Sequence, residues 1–138
     1  DATWARTERW GFVVSEPGSL PEGVTARNAL EAISAFEEQH GPAKTLSSWQ
    51  AFGERFPANP LGQFALGNAL YATEQPQAAL AAFEAATQLD PAMGAAWLNL
   101  AILQLQQENT AAARESLSQA ASLKGEWQPR AQQLLESL

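Results

Sequence analysis

Cysteine is absent from this chain, which excludes disulfides, thiolate metal sites and a cysteine nucleophile of its own. Cations are scarce: eight Lys and Arg stand against fifteen Asp and Glu, for a net charge of −7, and none falls between Arg55 and Arg114. Binding a nucleic-acid backbone needs clustered Lys and Arg, so no nucleic-acid partner is expected. The middle of the chain likewise has no cation to offer an anionic ligand. No run is long and apolar enough to span a bilayer, so direct membrane insertion is not expected. Neither a Gly-rich phosphate loop nor a spaced cluster of metal ligands occurs, and Ser47 and Ser48 have no base at a predictable distance. The only histidine, His40, falls at the end of a predicted helix before Gly41, where a charged imidazole suits the helix dipole. Glu37 and Glu38 adjoin it, but sequence neighbours point to different sides of a helix, so they read as a solvated face and not a dyad. The expectation is no enzyme: no catalytic residue, no metal and no cofactor.

What is present is apolar and periodic. Of 138 residues, 46% are apolar and 17% charged, enough to bury a core in one compact domain or a short solenoid. From Ala26 to Trp127 the chain reads three times over with a period of 34: Trp49, Phe83 and Leu117 fall in register, as do Pro57, Pro91 and Gly125, and Pro42, Pro76 and Thr110. A period of this size marks a stacked repeat array.

Each copy predicts two helices. Thr25 suits an N-cap, with Leu30, Ile33 and Phe36 following at helical spacing and Gly41 as the stop. Pro42 then suits the first turn of a second helix carrying Trp49, Phe52 and Phe56, which ends at Pro57. Asn59 and Pro60 start a helix with Phe64, Leu66, Leu70 and Tyr71, and Pro76 opens its partner with Leu80, Phe83 and Leu89. Trp97, Leu100 and Leu103 mark the next, Thr110 caps the one bearing Leu117 and Leu123, and Gln128 and Pro129 begin a short polar-faced cap with Leu134 and Leu135. Small residues also match across copies, Ala79 with Ala113, Ala86 with Ala120 and Gly67 with Ala101, as expected where helix backbones approach closely. Residues 1–24 differ: Trp4, Trp10, Phe12, Val13 and Val14 predict a strand over Trp10–Val14, followed by a turn-rich linker. A lone strand needs a sheet, a groove or a second copy of the chain. The absence of Met at Asp1 and the mid-domain character of the opening suggest a fragment of a longer protein.

At these positions the pattern resembles the tetratricopeptide repeat, with its Trp, Leu-Gly, Tyr, Ala, Phe and closing Pro. The second copy has Leu66-Gly67, Ala79, Phe83, Ala86 and Pro91, with Gln63 in place of the Trp and Leu70 in place of the Tyr. The third has Trp97, Leu100, Ala101, Ala113, Leu117 and Ala120, with Gly125 for the proline. In the first, Ile33, Phe36, Trp49 and Pro57 fit, but Thr45 and Phe52 replace small alanines, so its helices are expected to be splayed or shifted. The resemblance covers about 100 of the 138 residues and implies an all-α superhelix of about three helix-turn-helix repeats, over 26–59, 60–93 and 94–127, with a capping helix at 128–138. Residues 1–24 stand apart as a strand and linker at the end of an upstream domain, and 25–138 as the repeat domain.

A narrower resemblance sits at the start. Thr3-Trp4-Ala5-Arg6, then Arg9-Trp10-Gly11-Phe12-Val13-Val14 and Pro17-Gly18-Ser19-Leu20-Pro21, followed by such repeats, is similar to the C-terminal part of bacterial papain-like cysteine peptidases of the C39 type. That resemblance implies that Trp10–Val14 is the last strand of a peptidase domain whose catalytic Cys and His lie upstream. It also implies a bacterial envelope or periplasmic setting; without it the expectation is cytoplasmic.

The repeat resemblance further implies a concave groove lined by the first helix of each pair. Its ligand-contacting positions fall on Leu61, Phe64, Asn68, Tyr71 and Ala72, then on Ala95, Leu98, Asn99, Ile102, Leu105 and Gln106. Asn68 and Asn99 match asparagines that hold a peptide carboxylate in the family, but Phe64, Pro129 and Gln133 stand where its cations belong. A carboxylate clamp is therefore rejected, and the two asparagines otherwise cap local backbone or face water. What remains is an apolar floor of Phe64, Tyr71, Leu98, Ile102 and Leu105, suited to an apolar rather than acidic peptide, although Leu98 and Leu105 equally suit packing against the next pair. The leading expectation is a protein- or peptide-binding scaffold within a larger bacterial protein. The alternative is self-association, as a homodimer, with Trp4, Trp10 and Phe12 docking into the groove or pairing with a second chain.

Overall fold

The structure, a computed structural model, describes residues 5–7, 12–14 and 18–138. Among these, two short strands precede seven α-helices: β1 Ala5–Thr7, β2 Phe12–Val14, α1 Ala26–His40, α2 Leu46–Arg55, α3 Pro60–Ala72, α4 Pro76–Leu89, α5 Gly94–Gln106, α6 Thr110–Ser122 and α7 Gln128–Glu136. The helices stack in order as an all-α repeat superhelix.

The second and third pairs repeat closely. α3 and α5 each span 13 residues and begin 34 positions apart. Their C-terminal turns are alike as well, with Gln75 N–H donating to Leu70 C=O and Asn109 N–H to Gln104 C=O, both at 2.9 Å. That closing bond places the residue before it in the left-handed region, occupied by Glu74 at φ 60° and Glu108 at φ 61°. A side chain there costs about 1–2 kcal/mol. Glu74→Gly and Glu108→Gly are each expected to raise stability by roughly 0.5–1 kcal/mol, read from the urea midpoint, since glycine's freedom in the unfolded chain returns part of the gain.

Starts and stops follow local chemistry, with two corrections. The Thr25 hydroxyl accepts from Asn28 N–H at 3.1 Å, and Asn59 Oδ1 accepts from Leu61 and Gly62 N–H at 3.0 and 3.2 Å. Gly41, at φ 86°, ends α1 with its N–H on Glu37 C=O. Thr110, however, is already helical; the cap of α6 is Asn109, whose Oδ1 accepts from Ala112 N–H at 3.3 Å. Pro42 opens only a 3-10 turn over Pro42–Lys44, and α2 begins at Leu46.

The late start of α2 has a cause in Glu37. Its carboxylate accepts from the buried Thr45 hydroxyl at 2.5 Å and from the Trp49 indole N–H at 2.8 Å. Glu37 is therefore a half-buried tie between α1 and α2, whereas Glu38 is exposed. Seating Thr45 under this carboxylate occupies the residues that a longer α2 would have needed.

The core runs along the stack in clusters that straddle the joints between pairs. Ala29, Ile33, Trp49 and Phe52 meet Ala69 of α3; Leu70, Ala79, Ala82 and Phe83 meet Leu100 and Leu103 of α5; Ala101, Leu117 and Ala120 meet Ala131 of α7. Gly67 serves this packing in an unexpected way. A Cβ there would lie 2.6 Å from the Phe83 ring, so the glycine makes room for an aromatic side chain and not for a neighbouring backbone. Gly62 does the same for Phe52.

The N-terminal residues also differ from expectation. β2 covers Phe12–Val14 of the predicted strand and pairs antiparallel with β1, Ala5 opposite Val14 and Thr7 opposite Phe12. Trp4 and Trp10 lie outside the described residues. Val14 is buried with Ala32 and Phe36 of α1. Residues after it are strapped to α2: Gly18 N–H donates to Ser47 Oγ at 2.6 Å, and Arg55 donates to the carbonyls of Leu20 and Pro21, each at 3.1 Å.

Candidate functional site

α3 and α5 carry the candidate site because their equivalent faces lie in register on the stack. Asn68 and Tyr71 of α3, with Asn99 and Ile102 of α5, line a cavity of about 270 Å³, floored by Phe83 and Leu103. Asn99 Nδ2 donates to Asn68 Oδ1 at 3.0 Å, and Gln106 Nε2 donates to Tyr71 Oη at 3.0 Å. The two asparagines thus neither cap local backbone nor simply face water; each is oriented by the other across the joint. Tyr71 keeps 47% of its surface exposed.

The remaining expected groove residues go elsewhere. Phe64 is half-buried in the middle core, its ring centroid 5.9 Å from that of Phe83 at 58°. Leu98 and Leu105 pack against the Ala101, Leu117 and Ala120 cluster, the alternative their spacing left open. Leu61 is exposed at 49%. Phe83 and Leu103 were legible only as core, yet both also floor the cavity.

Among the described residues no charged side chain lines the cavity, so its recognition chemistry is amide, phenol and hydrocarbon. His40 is remote from it in the fold: it ends α1, with its ring centroid 4.3 Å from that of Phe36. Among the described residues no group of three or more His, Cys, Asp or Glu is placed to hold a metal ion.

Residues 64–127, from α3 to Trp127, match the tetratricopeptide repeat model. Residues 64–127 carry tetratricopeptide repeats. The match covers the second and third pairs from Phe64 onward, and the first pair lies before it. Solved structures share the fold. The crystal structure of MamA is similar with a TM-score of 0.70 and 20% identity, over 80% of this chain; the chain spans 64% of the length of MamA. The first TPR of Spaghetti (RPAP3), bound to the HSP90 peptide SRMEEVD, gives 0.70 and 13% over 81% of this chain and 88% of that one. The type III secretion translocator chaperone SycD of Yersinia enterocolitica gives 0.74 and 17% over 86% of each chain. No curated protein matches the chain.

Proposed function

We propose that this TPR chain is a non-catalytic scaffold that holds an extended segment of another protein between α3 and α5, and that the segment is apolar rather than acidic. The observation that carries this reading is the uncharged cavity of about 270 Å³ with its paired asparagines. With Asn68 Oδ1 engaged by Asn99, the Asn68 amide N–H groups and the Asn99 carbonyl are left as donor and acceptor. A ligand's backbone C=O and N–H match them, while Tyr71 and Ile102 accept an apolar side chain. A terminal carboxylate would meet no cation there. The TPR of Spaghetti with its bound peptide and the chaperone SycD support a binding role for this fold.

The test is Tyr71→Glu against an uncharged peptide selected from a random display library on the whole chain. Affinity is expected to fall about tenfold or more, as for loss of an aromatic contact residue. Because Tyr71 is 47% exposed, stability should shift by less than about 0.5 kcal/mol. A large fall in melting temperature, or unchanged affinity, would count against the groove.

Self-association loses one of its motives, since β2 finds its strand partner within the chain. Light scattering across a concentration series reads it directly, a rising mass favouring the homodimer. Membership of a larger bacterial protein, in the envelope or elsewhere, rests on the opening residues' resemblance to the peptidase family alone.

A further inference from the structure

A different face of α5 looks into a second and larger cleft, of about 470 Å³, between α4 and α6. Trp97 and Gln104 of α5 lie in it, flanked by Glu84 and Gln88 of α4 and by Glu115 and Gln119 of α6. The repeat supplies an internal reference for what packing alone requires. Moving back one period of 34, Gln104, Glu115, Ser116 and Gln119 become Leu70, Ala81, Ala82 and Ala85. The preceding joint is built with leucine and alanine at all four positions, so stacking does not call for polar groups there. Ser116, only 3% exposed, is accommodated by donating to Gln104 Oε1 at 2.7 Å.

The charge of this cleft has one sign. Among the described residues Glu84 and Glu115 line it without any Lys or Arg, and the span from 56 to 113 holds Glu74, Glu84, Asp90 and Glu108 but no basic residue. Arg114 adjoins Glu115 in sequence but does not line the cleft, as expected for helix neighbours that point apart.

We infer that the α4–α6 cleft is a second docking surface, and that its occupant is an arginine-bearing peptide segment of a partner protein. A guanidinium presents five N–H donors in a plane. Carboxylates at Glu84 and Glu115 and the side-chain carbonyls of Gln88 and Gln119 supply acceptors, and the Trp97 indole supplies a face for cation–π contact. The Trp97 N–H is already donated to Pro91 C=O at 2.8 Å, which fixes the ring. This surface is independent of the α3–α5 groove, and either can fail alone.

The experiment is an NMR titration of the whole chain with acetyl-Gly-Arg-Gly-amide and, separately, acetyl-Gly-Glu-Gly-amide. The arginine probe is expected to shift the Trp97 indole N–H and the side-chain amides of Gln88, Gln104 and Gln119 saturably, and the glutamate probe is not. In the Glu84→Gln/Glu115→Gln variant the dissociation constant should rise about fivefold or more, the scale of two exposed charge pairs. Tyr71→Glu should leave it unchanged. Equal shifts with both probes, no saturable shift, undiminished affinity in the double variant, or shifts confined to the Asn68 and Asn99 amides would each overturn the inference.

Discussion

Phe83→Ala is expected to remove about 3–5 kcal/mol of stability, about a fifth or more of what a domain of this size has to lose. The side chain is 2% exposed and sits where the second pair meets the third, against Leu70, Leu100 and Leu103. The surrounding helices cannot close the gap easily, because Gly67 offers no side chain to fill it and Phe64 is fixed against the same ring. The void opens directly under the candidate groove, so the floor of the cavity is lost along with the stability. Urea unfolding measures the first effect. Gly67→Ala gives the internal control: it should destabilise the parent, where the new Cβ meets the ring, and be tolerated once Phe83 is alanine. A loss below about 1 kcal/mol would mean that the joint repacks freely, against the shape these residues impose.

How much of the fold is legible in the sequence depends on the range of the interaction. The period of 34 and the helical spacing of Leu30, Ile33 and Phe36 are local signals, and they lead to the stack of helices that the structure shows. Caps within three residues of their targets, at Thr25 and Asn59, were equally legible. Asn109 is not legible as the cap because Thr110 beside it is also a good capping residue, and only the backbone geometry decides between them. Glu37 looked solvated because its partners lie 8 and 12 residues on and come close only when α1 and α2 fold together. β1 carries no alternating pattern in its three residues. The candidate groove divides in the same way. Positions on α3 and α5 followed from repeat register, but the Asn68–Asn99 bond spans 31 residues, and no helical pattern separates a core phenylalanine from one that also floors a cavity.

Trp49→Ala is expected to cost a similar amount, about 3–5 kcal/mol, but to show it in a different place. Trp49 is 1% exposed, meets Phe52 edge-on with ring centroids 5.7 Å apart, and carries the indole N–H that holds Glu37. Its removal therefore opens a cavity in the first pair and leaves a half-buried carboxylate short of a donor. In a repeat array each unit is stabilised chiefly by its neighbours, so damage at one end need not spread. α1 has few partners beyond α2, the 3-10 turn and β2. Hydrogen exchange in Trp49→Ala is thus expected to rise across 26–56 while α5, α6 and α7 keep their protection, whereas Phe83→Ala should weaken protection on both sides of its joint. Uniform loss in both variants would instead mean that the chain unfolds as one unit. Trp49→Phe separates the two contributions to the damage: it retains most of the ring volume but cannot donate, so the remaining loss, about 1–3 kcal/mol, measures what the tie to Glu37 is worth to a first pair that lacks the small residues of the other two.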